Sequence, residues 1–246
     1  MIDRRLLLLA AAVALLVSLT TLRGEDVVKQ GKAVVRAIHG TVQWRVGDHR
    51  WQKLRVGSEL AAGLEIRTGV DSYTDLSINN AGSIRLTSDS TLALRQMTST
   101  KTLFERRHDE TLLNLKSGEL SSIVNKKSAR SRYELHTPHG TASFDSGVFY
   151  ARIRKAPDGY EFVTFGSAEG KVACSAEVDG NPVTQTLASE QEWTPGAGGL
   201  RQMDPDEAAR ARSLFVIVCP CFVQPPPSAL APAGLDRLRL AKFPAL

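Results

Sequence analysis

Two histidines stand three residues apart in the segment His136-Thr137-Pro138-His139. Imidazole nitrogens are frequent ligands of zinc, so the pair is a candidate metal site. In an extended strand these two positions point to opposite faces, and only a tight turn at Pro138 would direct both rings to one ion. We therefore interpret the segment as a turn with exposed histidines and predict no metal site.

A serine and an aspartate follow this turn, and with the two imidazoles they make up the residue types of a nucleophilic triad. The serines are Ser143 and Ser146, and the acid is Asp145. The G-x-S-x-G turn that exposes a hydrolase serine is absent, and Ser143 lies in an alternating, strand-like run. We predict no catalytic residue, and an uncharacterised hydrolase is the third functional hypothesis.

Two other groups of residues have ligand chemistry. Asp71, Asp75, Asp89 and Asn79-Asn80 offer oxygen ligands for calcium, but the D-x-D-x-D-G loop is absent and turns favour the same residues. The cysteines are Cys174, Cys219 and Cys221. The last two are too close for an unstrained disulfide, so we interpret them as incidental, with a redox or metal site as the alternative. No cofactor is predicted.

The elements that would position these residues are short strands. Apolar residues alternate with polar ones along the chain, and Gly, Asn or Asp separates the runs, which is typical of strands joined by tight turns. The apolar residues at the alternate positions of these runs include Val42, Trp44, Leu64, Ile66, Leu76, Ile84, Leu86, Leu94, Leu113, Leu115 and Val124. We predict that this set is buried. Trp51 is expected to pack on Trp44 across a hairpin, and an exposed aromatic platform for a sugar is the alternative.

The predicted fold class is all-β, with many short, mainly antiparallel strands in a sandwich or β-roll, plus a short C-terminal helix. The β domain is expected over residues 30–196. Its second half includes four separate strands, at residues 141–144, 147–154, 161–165 and 170–178. Asp204-Pro205 is typical of a helix start, so a helix is predicted over residues 204–218, with Ala211, Leu214, Phe215 and Val218 as its apolar stripe. A Pro-rich, disordered tail is expected over residues 224–246.

Residues 1–24 have the layout of a targeting segment. Arg4 and Arg5 precede an uncharged run over residues 6–22. This is typical of a cleaved secretory signal, and a retained anchor is the alternative. The net charge of +5 over 246 residues is too small and scattered to predict nucleic-acid binding. Contact with a membrane is expected only through residues 6–22, if the segment is not cleaved.

The order of several short motifs resembles the FecR domain, the exported module of ferric-citrate-type regulators. The motifs are G-x-V-x-W, W-x-x-L-x-V-G-x-x-L, G-L-x-I-x-T-G-x-x-S, D-L, S-I-R-L, S-x-L-x-L, L-x-L-x-S-G-E-L and T-P-x-G. They extend from Val34 to about Val172, with a weaker continuation to Trp193. The resemblance implies an exported β domain that contacts other envelope proteins.

Two departures from the family pattern affect what the resemblance implies. Only five residues precede the uncharged run, so we expect a stand-alone form without the family's anti-sigma segment. Family members commonly show R-G-T after the T-P-x-G turn, and Asp145-Ser146-Gly147 occupy that slot here. Because a negative charge replaces a positive one, these residues are candidates for contact with a partner different from the usual one.

The sequence therefore predicts a non-enzymatic envelope protein in the periplasm or another extracytoplasmic space, acting by protein–protein interaction in sensing or scaffolding. The partner is an unknown envelope protein. The alternatives are an envelope glycan-binding or structural module, and an inner-membrane anchor with an exported body.

Export can be tested with a reporter fused after Trp193. Because Arg4 and Arg5 precede the uncharged run, this end is expected to stay inside and the body to cross the membrane. A reporter that works only outside the cytoplasm should be active, and a cytoplasmic reporter at the same position should be silent. Activity of the cytoplasmic reporter would contradict the prediction.

Overall fold

The computed structural model describes residues 27–78, 82–101, 107–126 and 128–213. The predicted targeting segment, residues 214–218 of the predicted helix, the tail after residue 224, and Cys219 and Cys221 lie outside the described residues. Within the described ranges, no helix is long and apolar enough to span a membrane.

The described elements are strands except for one helix near the C-terminal end. The first nine strands are β1 Val27–Gln30, β2 Ala33–His39, β3 Val42–Val46, β4 Gln52–Lys53, β5 Glu59–Leu60, β6 Leu64–Thr68, β7 Tyr73–Ile78, β8 Gly82–Leu86 and β9 Thr91–Lys101. The others are β10 His108–Ser117, β11 Glu119–Val124, β12 Arg132–Thr137, β13 Gly140–Lys155, β14 Glu161–Val178, β15 Asn181–Leu187, β16 Gln191–Thr194 and β17 Gly199–Gln202, and the helix α1 is Pro205–Ser213.

One curled sheet joins these strands. Its main path runs from β2 through β7, β8, β11 and β13 to β14. The far edge of β14 pairs with β15 and then with β16. The ladders between described strands are antiparallel, except that β10 and β12 are parallel. The predicted all-β class with mainly antiparallel strands and a short C-terminal helix is confirmed.

The concave side of the sheet encloses one main apolar core. The residues predicted to be buried lie in it, and all are buried except Trp44 and Leu64, which pack against it while partly exposed. The prediction was wrong for these two because they lie near a thin margin of the sheet. Trp44 is on β3, whose outer neighbour β4 has only two residues, so little protein covers its ring.

The second half of the domain has longer strands than the sequence predicted. The four short strands expected between residues 141 and 178 are two long ones, β13 and β14, which form a hairpin that we call the ribbon. Its register shifts between Phe144 and Gly147 and again between Val148 and Phe149. Alternation is interrupted at these shifts, which explains why each strand reads as two in the sequence.

A row of polar residues crosses the outer face of the sheet in register. Asp75 lies opposite Arg85, Ser121 opposite Tyr150, and Glu192 opposite Arg201. Arg85 donates two hydrogen bonds of 2.7 Å to Asp75, and the buried Tyr150 hydroxyl donates to Glu192. Gly166 lies between Tyr150 and Glu192, where a Cβ would overlap the Tyr150 ring. The buried polar groups of this face therefore satisfy one another.

Helix α1 covers part of the same face. Asp204 caps it, because its Oδ1 accepts a 2.8 Å hydrogen bond from the backbone nitrogen of Asp206. Ala208 is buried in a small second apolar cluster formed mainly by the sheet. Ala211, which the sequence placed on the apolar stripe of the helix, is buried in the same cluster. Arg152 of the sheet lies 2.7 Å from Glu207 of the helix, which adds an ion pair across the contact.

Candidate functional site

The ribbon bends sharply at a bulge, formed by Asp145, Ser146 and Gly147. Phe144 pairs with Val172 and Gly147 pairs with Gly170, so two residues of β13 oppose one residue of β14. This is a β-bulge, which bends the strand and increases its twist.

Two glycines permit this bulge. Gly147 has φ 143° and Gly170 has φ 93°, values that other residues rarely adopt. A Cβ at Gly147 would overlap the carbonyl oxygen of Glu169, and one at Gly170 would overlap that of Ser146. Inside the bend, the rings of Phe144 and Phe149 lie 4.7 Å apart and fill the core. The bulge therefore requires glycine at both positions.

The predicted interaction residues lie at this bulge. The Asp145 side chain is 76% exposed, and its Oδ1 lies 2.9 Å from Nζ of Lys126. Ser146 Oγ accepts a 3.1 Å hydrogen bond from the backbone nitrogen of Lys126. Asp145 is thus accessible to a partner, whereas Gly147 is required for the bulge itself.

The bend brings the two ends of the ribbon to one cleft of about 750 Å³. Its lining residues come from separate parts of the chain: Thr137, Pro138, His139, Gly140, Thr141, Tyr160, Phe162, Val163, Ser175, Ala176, Glu177, Gly180, Pro182 and Pro195. Val163 and Ser175 would lie roughly 40 Å apart along a straight strand. Because both line this cleft, β14 must curl strongly around the core.

His139 is the most distinctive polar group of the cleft. Its Nε2 is inaccessible to solvent and has no hydrogen-bond partner. The nearest carboxylate oxygen, Oε2 of Glu161, lies 3.8 Å away, beyond hydrogen-bond distance. The His139 ring lies 6.5 Å from that of Tyr160, which is 62% exposed. Since buried polar atoms normally have partners, the unpaired Nε2 makes this wall of the cleft a candidate ligand site, and a ligand would reach the atom only if the ring shifted slightly.

The remaining lining combines apolar side chains with one carboxylate. Pro138, Phe162, Pro182 and Pro195 contribute apolar surface, and the exposed Glu177 contributes a carboxylate. The lining therefore offers both polar and apolar surface, which suits a ligand that carries groups of both kinds.

The residues weighed for metal or hydrolase chemistry do not meet in one place. His136 Nε2 lies 3.6 Å from Glu134, whereas His139 faces Glu161. Ser143 is a strand residue opposite Glu134 and Ala173, and none of its described hydrogen bonds reaches an imidazole. In the described part of the chain, no three His, Cys, Asp or Glu side chains cluster as metal ligands.

The aspartates considered for calcium have structural roles. Asp75 is buried and bound by Arg85. Asp71 and Asp89 adopt φ values of 49° and 53° in turns, a conformation that Asp tolerates better than most residues. Asn79 and Asn80 lie outside the described residues. Cys174 is a buried free thiol, and burial raises its pKa to about 12, which makes it a poor nucleophile.

Trp51 does not pack on Trp44 as the sequence predicted. Trp44 lies opposite Gln52, and the guanidinium groups of Arg45 and Arg67 lie 4.5 and 4.3 Å from the Trp51 ring centre. Both arginines belong to the neighbouring strands β3 and β6, and cation–π attraction holds them there. A sugar would have to displace an arginine to stack on this ring.

Sequence reasoning identified one part of the cleft, the T-P-x-G turn that contains His139. It missed Tyr160, Phe162, Glu177 and Pro182, which come from two other turns and their flanking strands. No local pattern marks these residues as neighbours, because the bend of the ribbon alone brings them together.

Residues 65–172 match the model of the FecR protein family. This segment is a FecR domain. The resemblance predicted from the sequence is confirmed, and the matched segment includes the bulge, the T-P-x-G turn and most of the ribbon.

Two solved structures of a proposed anti-sigma factor from Parabacteroides distasonis ATCC 8503 are similar to this chain. One has a TM-score of 0.43 at 14% identity, and the other 0.45 at 13% identity. Each alignment covers 59% of this chain and 62% of the other, so the chain spans less than two thirds of their length. A comparison with curated proteins found no match.

The role of the bulge predicts different effects for two neighbouring substitutions. Gly147→Ala should destabilise the domain by about 1–3 kcal/mol or more, because it introduces both an unfavourable φ and an overlap with Glu169. Asp145→Ala removes only an exposed ion pair and should cost less than about 1 kcal/mol. Urea denaturation measures both, and equal midpoints for the two variants would contradict this role of Gly147.

Proposed function

We propose that this protein is an exported, non-enzymatic envelope protein whose FecR domain binds another envelope protein at the cleft. Its role is sensing or scaffolding. The imidazole of His139 carries the proposal, because its solvent-inaccessible Nε2 has no hydrogen-bond partner and lies at the wall of a cleft with both polar and apolar lining.

The chemistry of the cleft favours binding over catalysis. A hydrolase needs a nucleophile within hydrogen-bond reach of a base. The acid nearest His139 is Glu161, and the serine considered as nucleophile, Ser143, is not among the residues that line the cleft. The FecR domain over residues 65–172 supports the same reading, since this family is associated with regulation.

A glycan is the second candidate ligand. The exposed ring of Tyr160 beside His139 favours it, because an accessible aromatic face can stack on a sugar while an imidazole hydrogen-bonds a hydroxyl. The sequence offered an exposed aromatic platform only as the alternative to packing of Trp51 on Trp44, and it did not consider Tyr160.

Photo-crosslinking in the producing cell tests the proposed binding surface. A photoreactive phenylalanine analogue is placed at Tyr160 in the cleft, at Asp145 on the bulge, or at Val70, which is 73% exposed and lies outside both surfaces. We expect one envelope protein to be crosslinked from position 160 and not from position 70. A crosslink from position 145 to the same protein would indicate that the interface also includes the bulge.

The matched controls separate the two candidate ligands. His139→Ala should reduce the crosslink from position 160 several-fold without changing the thermal midpoint, because its Nε2 makes no internal hydrogen bond. Retention on purified cell-wall polysaccharide that is lost in Tyr160→Ala would favour the glycan. Equal crosslinking from positions 160 and 70 would contradict a binding role for the cleft.

A further inference from the structure

Strand β15 has an unpaired edge. Along one side it forms a continuous antiparallel ladder with β14, from Val172 opposite Leu187 to Val178 opposite Asn181. No other described strand pairs with its second side. In an antiparallel strand every second residue directs its N–H and C=O away from the neighbour, so this side presents free hydrogen-bonding groups.

The other strands with a single described partner have features that discourage pairing with another chain. β1 and β17 have four residues each, and β4 and β5 have two. Each contains a charged residue: Lys29 in β1, Lys53 in β4, Glu59 in β5 and Arg201 in β17. Short length and edge charges both discourage pairing with another chain.

β15 lacks both protections. It has seven residues, Asn-Pro-Val-Thr-Gln-Thr-Leu, and none is charged. Residues 181–184 are exposed, including Val183 at 37%. Pro182 is itself an edge protection, but it lies near the start of the strand and removes only one backbone donor, so pairing with another strand would use the donors of the residues that follow it. An exposed edge of this length without a charge is what a sheet presents where another strand adds to it.

We propose that β15 pairs antiparallel with β15 of a second copy of this chain, so that one sheet continues across a two-fold symmetric dimer. Two-fold symmetry places one residue opposite itself, and Thr184 is the central residue of the strand. Val183 of one copy then lies opposite Gln185 of the other. An uncharged strand meets no like-charge repulsion from its own copy, and opposed threonines form favourable cross-strand pairs.

The dimer would border on the binding cleft of each copy, because Pro182 belongs both to the cleft and to the shared strand. Gly180 and Pro182 line the cleft at the beginning of β15. Because the two strands are antiparallel, the clefts of the two copies lie at opposite ends of the shared ladder. A pair of seven-residue strands buries less than a standard interface of roughly 1,600 Å², so the association should be weak and dependent on concentration.

Sedimentation equilibrium of the purified, full exported chain tests this proposal. We expect the wild type to shift from monomer to dimer as its concentration rises to about 0.1–1 mM, the range of weak interfaces. Thr184→Lys places two like charges opposite each other and should weaken self-association about tenfold or more. Val70→Lys adds the same charge elsewhere and should associate like the wild type.

A disulfide between copies gives an independent result that does not depend on the strength of association. In the background of Cys219→Ser and Cys221→Ser, Thr184→Cys should form a symmetric disulfide under mild oxidation. Directly opposed Cβ atoms lie about 4.5–5.5 Å apart, slightly more than the roughly 3.5–4.5 Å in a disulfide, so a small shift of the two strands closes the bond. Val70→Cys should not do so at the same concentration. Circular dichroism verifies that each variant is folded. A wild type that stays monomeric over the whole range, or a dimer that Thr184→Lys does not weaken, would overturn the proposal.

Discussion

The close approach of two backbones at Gly147 and Gly170 is the constraint on which the second half of this domain depends. No side chain fits at either position without displacing a carbonyl group of the opposite strand. The bulge that they permit turns a straight hairpin into a bent ribbon. Phe144 and Phe149 pack against each other inside the bend, and the cleft forms where the two ends of the ribbon meet.

The outer face has a different source of rigidity. One polar row contains the hydrogen-bonded pair Asp75–Arg85 and the hydrogen-bonded group Tyr150–Glu192–Arg201, and helix α1 packs over part of this row. Burial, and then the hydrogen bond to Glu192, raise the pKa of the Tyr150 hydroxyl far above its ordinary value, so it remains a donor at physiological pH. The apolar core on the inner face and the polar row on the outer face thus both stabilise the same strands. The cleft lies at one end of these strands.

The sequence predicts those features that depend on neighbouring residues. Alternation identified the strands and most of the core, because facing along a strand has a period of two. Alternation wrongly predicted full burial for Trp44 and Leu64, because burial at these positions depends on how much protein lies beyond β3. The cleft could not be predicted, because His139, Tyr160 and Glu177 are distant in sequence and meet only through the bend. The sequence did single out Asp145, because this residue is negative where family members commonly carry a positive charge. Asp145 lies at the bulge, and Gly147 of the same bulge permits the bend that forms the cleft.

The bend itself can be measured by double electron–electron resonance between spin labels at Glu161 and Glu177, in the background of Cys219→Ser and Cys221→Ser. Both residues lie on β14 and are exposed, and a straight strand would separate them by roughly 50 Å. The bent ribbon brings both ends to one cleft, so a narrow distribution centred well below half of that value is expected. A distance near the extended value would show that the ribbon is straight and that the cleft does not form.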